Sequence, residues 1–322
     1  MHQFKIVKLL TALSLLGLTA CGGSEQEQPQ NTLFSLGVSD APVTEAAAVV
    51  VCFSGIQLVG NNQPPQSFTL GSGNFTAETN DLCRNAAGNV IPNTRGIDLL
   101  QLQGATAEAL ITNATVAPGS YGQLRLDIAE GSYLERLDGS RHRIQVPSNQ
   151  LRLNGPVLSG GGNFSYTLEF DLRKALVDPV GIPGYFVKPT GLRLVDNSEI
   201  GHLEGLVAEG FLLDNQCTVN PADERAAVAA VYMYEGADLP LAELSDNGGT
   251  NTYQPYASTA VFFNNDATEY QYAIGFVDAG SYTVAITCEA NDDPENPDDI
   301  SFIKAENVTI EARQQPHKLD FE

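Results

Sequence analysis

The chain has 322 residues, with 17 Lys plus Arg against 39 Asp plus Glu, a formal charge of −22. A surface this negative repels phosphate backbones and anionic lipid, which argues against an extensive nucleic-acid interface. Hydrophobic residues are 43% and charged residues only 17%, which argues against a chain disordered as a whole. The absence of Trp, with 30 Gly and 17 Pro, favours short strands and turns over long helices.

Residues 1–21 read as an address. Lys5 and Lys8 form a basic region, and Leu9 to Ala20 form an apolar run too short to span a bilayer. The run ends in Leu18-Thr19-Ala20-Cys21, which is similar to the bacterial lipobox. That resemblance implies cleavage before Cys21 and its acylation, with palmitate on the mature chain; the alternative is an ordinary secretory signal or an uncleaved anchor. Gly22 and Gly23 follow, without the Asp that often retains lipoproteins in an inner membrane, so the resemblance favours the outer membrane. Residues 22–32, rich in Gln, Glu and Asn, read as a flexible tether.

Removing Cys21 leaves Cys52, Cys83, Cys217 and Cys288. An even number in an exported chain suggests disulfides, and pairing within each half is the simplest of three connectivities. Four free buried thiols are the alternative. A metal site is less expected, because there is no CxxC and the His residues are scattered.

From residue 33 to 200 the chain reads as short strands. The apolar run Ala47–Val59 comes first, followed by strands at Ile97–Gln103, Glu108–Val116, Tyr121–Ile128, Arg141–Val146 and Asn163–Leu172. Alternation places Leu124, Leu126 and Ile128 on one face and Arg125 and Asp127 on the other. Phe164, Tyr166, Leu168 and Phe170 likewise share a face. A short helix at Leu172–Val177 and a strand at Gly191–Val195 close this half. From 201 to 322 strands are expected at His202–Val207, Ala226–Tyr234, Ser258–Phe263, Glu269–Val277, Ser281–Cys288 and Asn307–Ile310, with a short end at Lys318–Phe321. Strands linked by turns predict an all-β chain of two tandem antiparallel sandwiches, 33–200 and 201–322, and argue against parallel pairing. Val116-Ala117-Pro118-Gly119-Ser120-Tyr121 echoes Val277-Asp278-Ala279-Gly280-Ser281-Tyr282, a shared turn device rather than a repeat. The charge is uneven: residues 33–202 carry 15 acids and 11 bases, whereas 203–322 carry 22 acids and 4 bases.

Several stretches of the first half occur in a telling order. They are Ser39-Asp40-Ala41-Pro42-Val43, Ile97-Asp98-Leu99-Leu100, Pro118-Gly119-Ser120-Tyr121, Asp171-Leu172-Arg173-Lys174, Tyr185-Phe186-Val187-Lys188-Pro189 and Leu192-Arg193-Leu194-Val195-Asp196. This half resembles a family of bacterial envelope lipoproteins known as domain of unknown function 4382, which implies no functional residues. The second half resembles prealbumin-like or carboxypeptidase-regulatory-like sandwiches on Gly205-Leu206-Val207, Val231-Tyr232-Met233-Tyr234 and Ala279-Gly280-Ser281-Tyr282-Thr283-Val284. That resemblance implies interaction or spacer roles, sometimes carbohydrate binding.

Signatures of nucleophilic, zinc-protease and P-loop chemistry are absent, and no catalytic residue is assigned. The acidic run Glu289–Asp299 places Asp292, Asp293, Glu295, Asp298 and Asp299 within eight residues, enough oxygen for Ca²⁺; a solvated loop is the bland alternative. Arg173 and Lys174 beside Asp171, near Tyr185 and Lys188, are either an anion site or an ion pair at a strand end. The sequence thus points to a lipid-anchored, non-catalytic envelope protein that binds or spaces a partner protein or glycan. A carbohydrate-binding accessory module or a surface enzyme is the alternative. No cofactor beyond that Ca²⁺ is implied.

Overall fold

The computed structural model describes residues 32–41 and 46–322. The leader, Cys21 and the tether up to residue 31 lie outside the described residues. Among the described residues, fourteen strands precede residue 200. They are β1 (Thr32–Ala41), β2 (Ala46–Gly60), β3 (Gln66–Thr69), β4 (Arg95–Asp98), β5 (Glu108–Val116), β6 (Gly119–Ile128) and β7 (Tyr133–Arg136). Then come β8 (Arg141–Gln145), β9 (Gln150–Asn154), β10 (Val157–Leu158), β11 (Asn163–Asp171), β12 (Leu176–Val177), β13 (Tyr185–Val187) and β14 (Leu192–Asp196). One turn of helix, α1 (Leu172–Ala175), follows β11.

A four-stranded sheet, β14-β11-β1-β5, packs on a larger sheet built around β2 and β6. Alternation produces this sandwich. Phe34, Leu36 and Val38 of β1, Leu168 and Phe170 of β11, and Leu124, Leu126 and Ile128 of β6 all enter one buried core. The antiparallel expectation fails at three places. β1 runs parallel to β11, β8 parallel to β13, and β15 (Ile200–Val207) parallel to β21 (His317–Lys318). Long crossovers allow this: more than 120 residues separate β1 from β11, so no turn forces the two into a hairpin. Ile97–Gln103 is half strand: β4 ends at Asp98 and a 3₁₀ turn, Leu99–Gln101, follows.

After β15 a second helix, α2 (Glu209–Asp214), interrupts the strands. The remaining ones are β16 (Ala229–Glu235), β17 (Ala257–Asn264), β18 (Glu269–Asp278), β19 (Gly280–Thr287), β20 (Lys304–Ile310) and β21. They form one seven-stranded sheet, β20-β19-β16-β17-β18-β15-β21, around a second core that includes Val231, Met233, Tyr270, Tyr272, Ile274 and Ile286. The sheet curls until the residues after β20 reach β15, where Arg313 N donates to Ile200 O at 3.0 Å. Phe276 leaves the face that Tyr270, Tyr272 and Ile274 share. A bulge between Gly201 and Leu203 gives it φ 49°, and it packs with Val195 and Ile200 instead of the second core.

The two echoing motifs share one device. Tyr121 Oη donates to Ala117 O at 2.7 Å, and Tyr282 Oη donates to Asp278 O at 2.8 Å. Each buried phenol thereby ties the start of its strand to the preceding turn. The disulfides are Cys52–Cys83 and Cys217–Cys288, with Cα atoms 5.8 and 4.9 Å apart, one within each half.

Candidate functional site at the seam between the two cores

The polar face of β11 does not meet water. Thr167, Glu169 and Asp171 point away from the first core, and β17 and β18 of the second half cover them. Two glycines set how closely the halves approach: a methyl group on Gly275 would lie 1.8 Å from Gly104 O. Gly104 has φ +62°, which a side chain resists.

Charged and polar side chains cross this seam. Asp171 caps α1 by accepting from Lys174 N at 3.3 Å. Its carboxylate also accepts from Ser258 N at 3.0 Å and Ser258 Oγ at 3.2 Å. Asn247 Nδ2 in turn donates to Ser258 Oγ at 2.9 Å. Arg173 donates to Ala290 O at 2.8 Å and to Tyr232 Oη at 3.1 Å. The Tyr232 hydroxyl donates to Asp292 Oδ2 at 2.8 Å, and Asn247 N donates to the same oxygen at 3.0 Å. Lys174 Nζ donates to Pro255 O, and Arg193 Nη1 donates to Tyr256 O while its guanidinium lies 4.6 Å from the Tyr256 ring centroid.

Two features read separately in the sequence therefore belong to one structure. Arg173 of the first half is linked through the Tyr232 hydroxyl to Asp292 of the acidic run, Asp171 reaches the same acid through Ser258 and Asn247, and Lys188 pairs with Glu295 at 3.8 Å. The ion pair expected beside Asp171 is absent among the described residues; inter-core hydrogen bonds replace it, because the basic side chains reach across to carbonyls and a phenol. The five acids of the run do not share one shell. Asp292 turns inward. Asp293 accepts from Glu295 N. Asp299 accepts from Ser245 Oγ, Thr250 N, Thr250 Oγ1 and Asn251 N. Among the described residues no three His, Cys, Asp or Glu side chains gather in a metal-binding arrangement.

Burial governs the electrostatics. Desolvation lifts the Glu169 carboxyl to about 8 although Arg193 opposes it, and Glu169 Oε2 has no hydrogen-bond partner. Desolvation also raises Asp40 well above the ordinary carboxylate range, with Glu169, Asp171 and Asp98 adding repulsion. Asp171 is raised by burial, opposed by Arg193, Lys174 and Arg173. Burial lowers the Lys174 ammonium, and Asp171 resists that change. Burial thus pushes all three carboxyls at one end of β1 and β11 toward higher pKa, Glu169 to about 8. Sequence reading missed Asp40, Glu169 and Arg193 as members of this group. The available signal was a polar stripe, Thr167-Glu169-Asp171, on a strand whose other face is apolar.

A cleft beside the seam has a volume of about 600 Å³ and is bordered by Leu100, Gln103, Leu206, Phe262, Arg225 and Lys318 among others. Its lining includes the ion pair of Lys318 Nζ with Glu204 Oε2 at 2.7 Å.

Residues 31–189 match the family model described as a domain of unknown function (DUF4382). No curated protein matches the chain. Among solved structures, the chain is similar to "The Bacillus anthracis TIE protein" at 11% identity and a TM-score of 0.17, over 89% of this chain and 34% of that one. The chain therefore spans about a third of that neighbour, and so slight a likeness carries no argument about fold or function.

Proposed function

We propose that this chain, whose first unit is a DUF4382 domain, is a lipid-anchored protein of the cell envelope that serves as a single non-catalytic binding or spacing body. In this reading residues 1–21 are a lipoprotein signal peptide, Cys21 carries palmitate, and the outer membrane holds the anchor. The second unit is a prealbumin-like spacer fused to the first. The observation that carries the reading is the seam. Its buried cross-links give the chain a fixed shape, as a protein that positions a partner requires. Two disulfides, one per core, support an oxidising compartment.

Labelled palmitate fed to bacteria expressing the chain tests the anchor. Label is expected in the wild type and not in a Cys21→Ser form, and an unlabelled wild type refutes the anchor. Cross-linking followed by capture, with Cys21→Ser as control, would then identify the partner. A surface enzyme is the weaker alternative. Glycan binding has a specific observation in its favour, developed next.

A further inference from the structure

The outer face of the larger sheet in the first unit carries an arrangement that stability alone does not explain. Arg125 of β6 pairs directly with Arg152 of β9. Side chains opposite one another on antiparallel strands have Cβ atoms about 5 Å apart, and like charges there repel. The chain has 39 acids against 17 bases, yet neither guanidinium lies within ion-pair distance of a carboxylate among the described residues. Neutral amides orient them instead. Arg125 Nε donates to Gln123 Oε1 at 2.8 Å, and Arg152 Nε donates to Gln150 Oε1 at 2.8 Å. The one nearby acid, Asp127, is occupied by other donors, Gln57 Nε2 at 2.9 Å and Gln150 Nε2 at 2.7 Å. Both guanidinium forks therefore keep their Nη groups without a protein acceptor among the described residues, side by side on the outer face, Arg152 exposed and Arg125 half-buried.

The surroundings are polar and flat. Register aligns Ser67, Gln57, Arg125 and Arg152 in one row across β3, β2, β6 and β9, and Thr69, Gly55, Asp127 and Gln150 in the next. Gly55 leaves room for Asp127: a methyl group there would lie 3.1 Å from Asp127 Oδ2. Four strands at about 4.8 Å spacing give a platform about 14 Å wide. It offers amides and hydroxyls to hydroxyl groups, with two guanidinium forks at one side for an anion having paired oxygens.

We propose that this face, centred on Arg125 and Arg152, binds an acidic polysaccharide, with the two guanidiniums taking a carboxylate or sulfate and the flanking Gln, Ser and Thr side chains taking sugar hydroxyls. The face has no aromatic platform, so recognition here is by hydrogen bonds and charge rather than by stacking. A dense polyanion such as nucleic acid is disfavoured by the −22 charge of the chain, whereas a glycan bearing anions among hydroxyls suits a local cationic pair. The proposal rests on the non-catalytic binding reading and supplies its ligand class.

The test is a titration of the full chain, held in detergent, with polygalacturonate, sulfated dextran, unmodified dextran and duplex DNA at low salt. Binding to polygalacturonate, to sulfated dextran, or to both is expected, and which of them binds separates carboxylate from sulfate as the source of the anion. Arg125→Gln and Arg152→Gln are each expected to weaken binding tenfold or more, and the double variant to abolish it. Arg225→Gln, on the second unit, should bind like the wild type. Removing like-charge repulsion should leave the melting temperature of the variants unchanged or higher, so misfolding cannot mimic the loss. The assignment is overturned if neither acidic polymer binds better than unmodified dextran, if DNA binds as well as they do, or if the double variant binds undiminished. A bound polymer that is shortened on incubation would refute the non-catalytic reading and leave the site standing.

Discussion

Replacing Glu169 by Gln tests the electrostatics of the seam, because it keeps the shape of the side chain and removes its proton equilibrium. Glu169 is 1% exposed, and its carboxyl is lifted from an ordinary value of 4.5 to about 8. Between those values the unfolded chain loses this proton and the folded chain keeps it, so folding stability falls as pH rises. Across pH 5.5 to 7.0 the loss from this group alone is about 2 kcal/mol, using about 1.4 kcal/mol per pH unit and allowing for partial ionisation at each end. At about 3 kcal/mol per molar urea, the midpoint should fall by about 0.7 M over that interval because of Glu169. Urea unfolding of the wild type and Glu169→Gln in parallel isolates the effect, since all other carboxylates are common to both. The difference between the two midpoints should narrow or reverse toward low pH and widen in favour of the amide variant toward pH 8. Parallel pH dependences in the two proteins would show that Glu169 ionises normally in the fold, and the inference that burial holds its proton would be wrong.

Other consequences follow from the same geometry. Gly275→Val forces a side chain into the Gly104 carbonyl, so the halves should part at the seam; protease sensitivity near residues 197–199 should rise while each core keeps its far-ultraviolet dichroism. Deleting Cys52–Cys83 or Cys217–Cys288 by paired Ser substitutions opens loops of 31 and 71 residues, and chain-entropy arguments give losses of about 4 kcal/mol for each, readable in chemical denaturation. Tyr121→Phe and Tyr282→Phe each remove one hydroxyl from a buried turn and should cost about 1 kcal/mol; no loss in either would deny the turns their anchoring role.

Much of the strand layout was legible in the sequence because each core takes every second residue. Glu108–Val116 has the same bounds in sequence and structure, and Tyr121–Ile128 and Glu269–Val277 shift by two residues at most. The first strand escaped notice although Phe34, Leu36 and Val38 carry the same period, since its neighbours Ser35 and Gly37 dilute the apolar signal. Parallel pairing of β1 with β11 was illegible, because it depends on which distant strand fills a vacant edge and not on any local turn. The seam was illegible for a related reason. On a lone sandwich, Glu169 and Asp171 read as solvent-facing residues, and only the second unit on that face makes them buried. Arg125 was correctly placed on the outer face, but its partner depends on register, and register put Arg152 beside it rather than an acid.

The buried cross-links make two cores one body. Spin labels at Asp138 of the first unit and Asp266 of the second, both exposed, report the distance between them by pulsed dipolar spectroscopy. One narrow distance distribution, unchanged by salt and broadened by Gly275→Val, is the predicted result. A broad or multimodal distribution in the wild type would mean that the two cores move independently.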